Sequence, residues 1–153
     1  MSVIPKCTLV PSRFFDVQEP RRILSEVAVL DPLDVVGYAF IERLDAYLVY
    51  SHATDGYPQL YYLLSELPHC PEYNKIFAAW EHGCLSLAIA SGDKLLLCNT
   101  FPAEDFTTAQ YFIFSAVKSL QLNPEFSTVC FRTPLGPDEE MSLYRYFKSV
   151  ERL

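Results

Sequence analysis

Residues Ile76 to Phe101, IFAAWEHGCLSLAIASGDKLLLCNTF, hold three short apolar runs separated by two turn-forming segments. Their content of Ile, Phe, Leu and Cys predicts strands near 75–80, 84–90 and 94–101. Ser91-Gly92-Asp93 is a good hairpin signal, and the first turn is Trp80-Glu81-His82-Gly83. A helix is expected at once afterwards, from about Ala103 to Leu120. Its buried face would carry Ala109, Phe112, Ile113, Ala116, Val117 and Leu120, with Glu104 and Asp105 in the first turn at the positive end of the helix dipole. Three strands joined by tight turns and then a helix constrain this part of the chain to an α/β layer.

The rest of the chain continues in the same style. Asn123-Pro124 is a turn, Thr128 to Arg132 a strand, and Pro134-Leu135-Gly136-Pro137 a rigid loop. A last helix is predicted from about Asp138 to Val150, opening on Asp138, Glu139 and Glu140 and burying Leu143, Tyr146, Phe147 and Val150. Ahead of the hairpins, Cys7 to Val10 reads as a strand. Glu19-Pro20 opens a helix through about Val29 with a stripe of Ile23, Leu24 and Val27. Val35 to Ile41 and Ala46 to Tyr50 form a hairpin around Glu42-Arg43-Leu44-Asp45, and Pro58 to Leu67 is a short helix. The prolines at 68 and 71 bracket a linker, so two small subdomains are expected, 1–71 and 72–153.

Size and charge exclude several functions. A chain of 153 residues, half of them hydrophobic, supports one domain or two small subdomains sharing a core. The net charge of -7, with twelve scattered Lys and Arg, gives no basic footprint for nucleic acid or for an anionic membrane surface. Only 20% of residues are charged, so some apolar excess is expected at an interface. Cys7, Cys70, Cys84, Cys98 and Cys130 form no CxxC pair and are odd in number; they read as small buried hydrophobes in a reducing compartment. No apolar stretch reaches the length of a membrane span. The expectation is a soluble, cytoplasmic protein without membrane insertion.

The second half thus reads βββαβα, the pattern of a ribonuclease-H-like unit. The runs Cys7-Thr8-Leu9-Val10-Pro11-Ser12, Leu95-Leu96-Leu97-Cys98-Asn99-Thr100-Phe101 and Glu104-Asp105-Phe106, with Tyr111-Phe112 beyond, resemble an uncharacterised Bacteroidetes family of actin-like-ATPase-fold proteins. The resemblance covers nearly the whole chain and implies a mixed α/β fold of two subdomains, the first a partial ribonuclease-H-like unit. It also implies that family members carry roughly another hundred residues ahead of the Leu-Val-Pro segment. The shared motifs are hydrophobic, and the resemblance brings no established activity with it.

In actin-type ATPases an Asp-x-Gly-Gly-Gly-Thr-like hairpin holds phosphate through exposed backbone N–H groups. Aligning Ser86-Leu87-Ala88-Ile89 with the strand after that loop sets Ala79 at the acidic position. Trp80, Glu81 and His82 then cross the glycine-rich turn, and only Gly83 agrees. The later Gly-Gly that admits adenine reads Thr133-Pro134-Leu135-Gly136. Residues Trp80 to Gly83 are therefore a nucleotide-site remnant. Glu81 and His82 could form an acid/base pair or a weak metal site beside the Trp80 indole. A polar turn with the indole packed on the neighbouring subdomain is the simpler reading, since one His and one Glu are too few ligands for zinc.

Other polar groups have bland explanations. His52 and Asp55-Gly56 suit loop chemistry, His69-Cys70 between prolines a surface linker, and the Glu104-Asp105 and Asp138 to Glu140 runs helix capping and dipole complementation. No catalytic residue, metal or cofactor is assigned. Tyr47, Tyr50, Tyr57, Tyr61 and Tyr62 gather around the first hairpin and its helix and suit a protein-binding face. The leading expectation is a non-catalytic scaffold, a pseudo-ATPase module that binds a protein partner or homodimerises to cover an open sheet edge or helix face. The rival is a nucleotide-binding protein or weak ATPase built on the 80–83 hairpin, with Asp93 as a further candidate.

Overall fold

A computed structural model describes residues 6–52 and 57–153, apart from the side chain of His52. Among the described residues eight strands form two sheets, accompanied by four α-helices. In chain order the elements are β1 (Lys6–Pro11), α1 (Pro20–Ser25), β2 (Val35–Ile41), β3 (Ala46–His52), α2 (Gln59–Glu66), β4 (Asn74–Glu81), β5 (Cys84–Ser91), β6 (Lys94–Pro102), α3 (Phe106–Ser119), β7 (Thr128–Phe131), α4 (Pro137–Tyr144) and β8 (Ser149–Arg152).

The five-stranded sheet has the order β6-β5-β4-β7-β8. Two hairpins pair β4, β5 and β6 antiparallel, and α3 then carries the chain back across the sheet so that β7 lies parallel to β4. Helix α4 returns it again to add β8 parallel to β7. Parallel neighbours require such crossovers, and both parallel pairs among the described residues follow helices. Alternation along β4 divides the core. Ile76 and Ala78 face α3 and α4 with Leu87, Ile113, Val129 and Phe131. Phe77 and Ala79 face α2 with Leu60, Leu63, Leu64 and Cys130. Strand β5 is buried from Cys84 to Ala90, as a strand covered on both faces must be.

The three-stranded sheet is antiparallel with the order β1-β3-β2. Leu48 and Tyr50 of β3 and Ala39 and Ile41 of β2 join the core around α2, so the two sheets share one apolar layer. Gly37 lies opposite Tyr50, and a Cβ there would sit 3.0 Å from the Tyr50 ring; the missing side chain lets the phenol cross the strand. Lys6 donates to Asp34 at 2.8 Å and Arg21 to the Asp31 and Asp34 carbonyls, fixing the loop before β2. The Lys6 ammonium, followed by the Asp31 N–H, holds the Asp34 carboxyl below its usual range.

Two expectations from the sequence are corrected. The first helix ends at Ser25 instead of near Val29, and Val27 and Val29 are exposed, 63% and 89%. Six residues make too short a helix to carry a full stripe, and Leu24 alone is buried on it. The last helix ends at Tyr144 and the chain turns to form β8, where Val150 pairs with Val129. The helical spacing of Leu143, Phe147 and Val150 survives as burial, but these side chains reach the same core from a helix, a turn and a strand.

Candidate functional site

The β4–β5 connection is a two-residue turn. Glu81 and Cys84 are ladder partners, and His82 and Gly83 between them have φ of +52° and +71°. Two successive left-handed residues make a type I′ turn, which matches the twist of a hairpin and suits glycine at its second position. Only two residues separate the strands, so the loop is too short for the run of glycines that a phosphate cradle needs. The Gly83 carbonyl accepts from the Ala103 N–H at 2.9 Å, tying the turn to the segment before α3.

Trp80 seals the same end of the sheet. Its backbone N–H donates to the Thr133 hydroxyl at 2.9 Å and its indole N–H to the Ala103 carbonyl at 3.0 Å. The ring packs 5.7 Å from Phe106. The indole therefore lies within its own α/β unit, not on the neighbouring subdomain as the sequence had suggested, because even positions of β4 face α3. His82 is exposed and makes no hydrogen bond or ion pair among the described residues, whereas Glu81 accepts from Gln59 of α2. Asp93 lies in the other hairpin turn, ion-paired to Arg43 at 2.9 Å.

A chain of polar contacts that the sequence did not signal runs across the carboxyl ends of β4 and β7. Gln59 donates to Glu81 at 2.5 Å, and its carbonyl accepts from Arg132 at 2.8 Å. The Arg132 guanidinium in turn sits 4.0 Å over the Tyr62 ring. Strand order reverses between β4 and β7, and in open α/β sheets ligands commonly bind outside the carboxyl ends of the strands at such a point. Gln59 and Arg132 are far apart in sequence and match no motif, so only the parallel pairing of β4 with β7 reveals them.

The five tyrosines divide between two faces. Tyr47 stands on the outward face of the three-stranded sheet, its ring 4.1 Å from Phe15 and 5.0 Å from Phe40, with Tyr38 at 5.9 Å. Tyr38 and Phe40 are 43% and 47% exposed. Tyr50, Tyr57, Tyr61 and Tyr62 form the second group near α2, where Tyr57 stacks on Tyr61 at 4.1 Å and Tyr50 is buried. Burial, more than the neighbouring phenols, raises the Tyr50 pKa. Positions 47 and 50 differ by an odd number along one strand and so point oppositely.

The remaining candidates are structural. Asp105 is the N-cap of α3, accepting the Thr108 N–H at 2.7 Å, which holds its carboxyl below the usual range; Glu104 precedes the helix instead of lying in its first turn. Glu139 reaches back to the Gly136 N–H at 2.8 Å to close the start of α4. His69 is exposed in a short turn beside the half-buried Cys70. Burial pushes the Cys7, Cys98 and Cys130 thiols up to about 12 and Cys84 to about 11, so these four are poor nucleophiles at neutral pH. The side chain of His52 and the Asp55-Gly56 pair lie outside the described residues. Among the described residues no three His, Cys, Asp or Glu side chains group as metal ligands, and no helix is long and apolar enough to cross a membrane.

A solved structure from Bacteroides thetaiotaomicron VPI-5482, a protein with actin-like ATPase fold and unknown function, superposes on 97% of this chain with a TM-score of 0.75 at 14% identity. This chain spans 65% of that one. The likeness is one of fold, and the resemblance to actin-like-fold proteins read in the sequence holds at that level. No curated protein matches. A protein-family profile matches residues 54–150, which cover α2, strands β4 to β7, helices α3 and α4 and the start of β8. The chain belongs to the family described as "Protein of unknown function (DUF3822)".

Proposed function

We propose that this chain is a non-catalytic module of actin-like fold that binds protein through the outward face of its three-stranded sheet. The observation that carries this reading is the contiguous cluster of Phe15, Tyr38, Phe40 and Tyr47, with Tyr38 and Phe40 nearly half exposed. Aromatic rings give much contact area for little conformational entropy and are enriched at protein interfaces. The type I′ turn at His82-Gly83 supports the non-catalytic part, because a two-residue connection offers only two loop amides where a glycine-rich phosphate cradle presents several in succession. Five cysteines without a disulfide support a reducing, cytoplasmic setting. A second copy of the chain is the partner to test first, since isologous pairing covers the same patch on both protomers.

Sedimentation velocity over a wide concentration range, comparing wild type with Phe40→Glu, tests the proposal. Concentration-dependent dimerisation that Phe40→Glu abolishes supports it. A wild-type monomer at every concentration removes the homodimer. Dimerisation that Phe40→Glu leaves unchanged removes this face.

The second reading is nucleotide binding at the 80–83 hairpin. The observation that favours it is the Arg132 guanidinium at the carboxyl ends of β4 and β7, which has no carboxylate within ion-pair distance among the described residues.

A further inference from the structure

Among the described residues Lys75 is the one buried lysine or arginine, at 8% exposed. It occupies the second position of β4 and points toward α2, opposite Ala90. Its ammonium carries three N–H donors and uses one, to the Gly92 carbonyl at 2.9 Å. Among the described residues no carboxylate lies within ion-pair distance of it. Asp93, which lines the same cavity, is committed to Arg43 at 2.9 Å and is itself exposed. A largely buried cation with one protein hydrogen bond and no counter-charge among the described residues is stabilised when an anion sits beside it.

The space for that anion is present. A cavity of about 90 Å³ opens against Lys75, between the turn joining β2 to β3, the end of α2 and the hairpin joining β5 to β6. Leu44, Leu64, Leu67 and Leu95 form its apolar wall. The Arg43–Asp93 pair links the three-stranded sheet to the five-stranded one at its rim. One positive charge facing one apolar wall matches a ligand with one negative charge and a short hydrocarbon part. A phosphate would bring more charge and more acceptors than a single ammonium answers.

We propose that this cavity binds a short-chain aliphatic monocarboxylate, its carboxylate on the Lys75 ammonium and its tail among Leu64, Leu67 and Leu95. The proposal is independent of the protein-binding reading, since it uses none of the outward-face aromatics.

The test is a nuclear magnetic resonance titration of the whole ¹⁵N-labelled chain with sodium butyrate, against sodium chloride and sodium phosphate at matched ionic strength. The expected result is a saturable shift, in the millimolar range for so small a ligand, at the amides of Leu44, Gly92, Asp93 and Leu95 and at the Lys75 Nζ resonance. Lys75→Met, which keeps most of the stem and removes the charge, should abolish it. If that variant does not fold, the Nζ resonance of the wild type decides alone. A response no larger than that to chloride, an unchanged response in Lys75→Met, an Nζ resonance that does not move, or saturation by phosphate at equal or lower concentration would overturn the assignment.

Discussion

The two sheets solve the same problem differently. The five-stranded sheet is covered on one face by α3 and α4 and on the other by α2, and β5 buries every residue from Cys84 to Ala90. The three-stranded sheet is covered on its inner face by α2, while outside it has only the six-residue α1, leaving Tyr38 and Phe40 in solvent. Helix α3 is fourteen residues long with a side-chain N-cap; α1 has no such cap at Glu19. Burial is therefore concentrated in one sheet and exposed aromatic surface in the other.

The largest effect should come from the closed sheet. Leu87→Ala, at a fully buried position on β5, should cost about 2–5 kcal/mol, while Phe40→Ala on the outward face should cost less than about 1 kcal/mol. Urea denaturation of the two variants compares them directly; equal losses would mean that the outer face is core. Gly37→Ala comes next, at about 1–3 kcal/mol, because the new methyl meets the buried Tyr50 ring at 3.0 Å. A drop in the same urea midpoint, with altered Tyr50 fluorescence or ring resonances, would locate the loss at the seam between the sheets.

Much of the closed sheet was legible in the sequence because its signals are local. The apolar runs fall on β4, β5 and β6 nearly residue for residue, and Ser91-Gly92-Asp93 and His82-Gly83 supply the left-handed residues that tight turns need. Signals that depend on partners were not legible. Strand β8 is four residues long and gains its identity by pairing with β7, so its Val150 looked like a continuation of the helical spacing. The tyrosines were grouped by nearness in sequence, although strand parity separates Tyr47 from Tyr50. Gln59, Arg132 and Lys75 carry no motif at all, and their contacts cross between elements.

Smaller effects sharpen the contrast further. Thr128 on β7 is 1% exposed, and its hydroxyl has no hydrogen-bond partner among the described residues. Thr128→Val should be neutral or stabilise by up to about 1 kcal/mol, read as a rise in melting temperature. The smallest effect concerns the cover itself. The Asp105 carboxyl is held below its usual range by the Thr108 N–H, so its contribution is present above the ordinary aspartate range near pH 4. That contribution is lost as pH falls through the lower folded value. Stability measured from pH 6 downward should therefore fall less steeply in Asp105→Asn than in wild type; identical profiles would remove the cap from the account.

The absence of nucleotide binding at the tight hairpin is the claim on which the scaffold reading depends, and a thermal-shift titration of the whole chain with Mg-ATP tests it most directly. The account predicts no saturable rise in melting temperature, in wild type or in Trp80→Ala. Ligand at a hundred times its dissociation constant would add about 2.7 kcal/mol, a rise of roughly 5–11 °C for a chain of this size. A saturable rise of that order would contradict the account and return the crevice beside Arg132 to nucleotide chemistry.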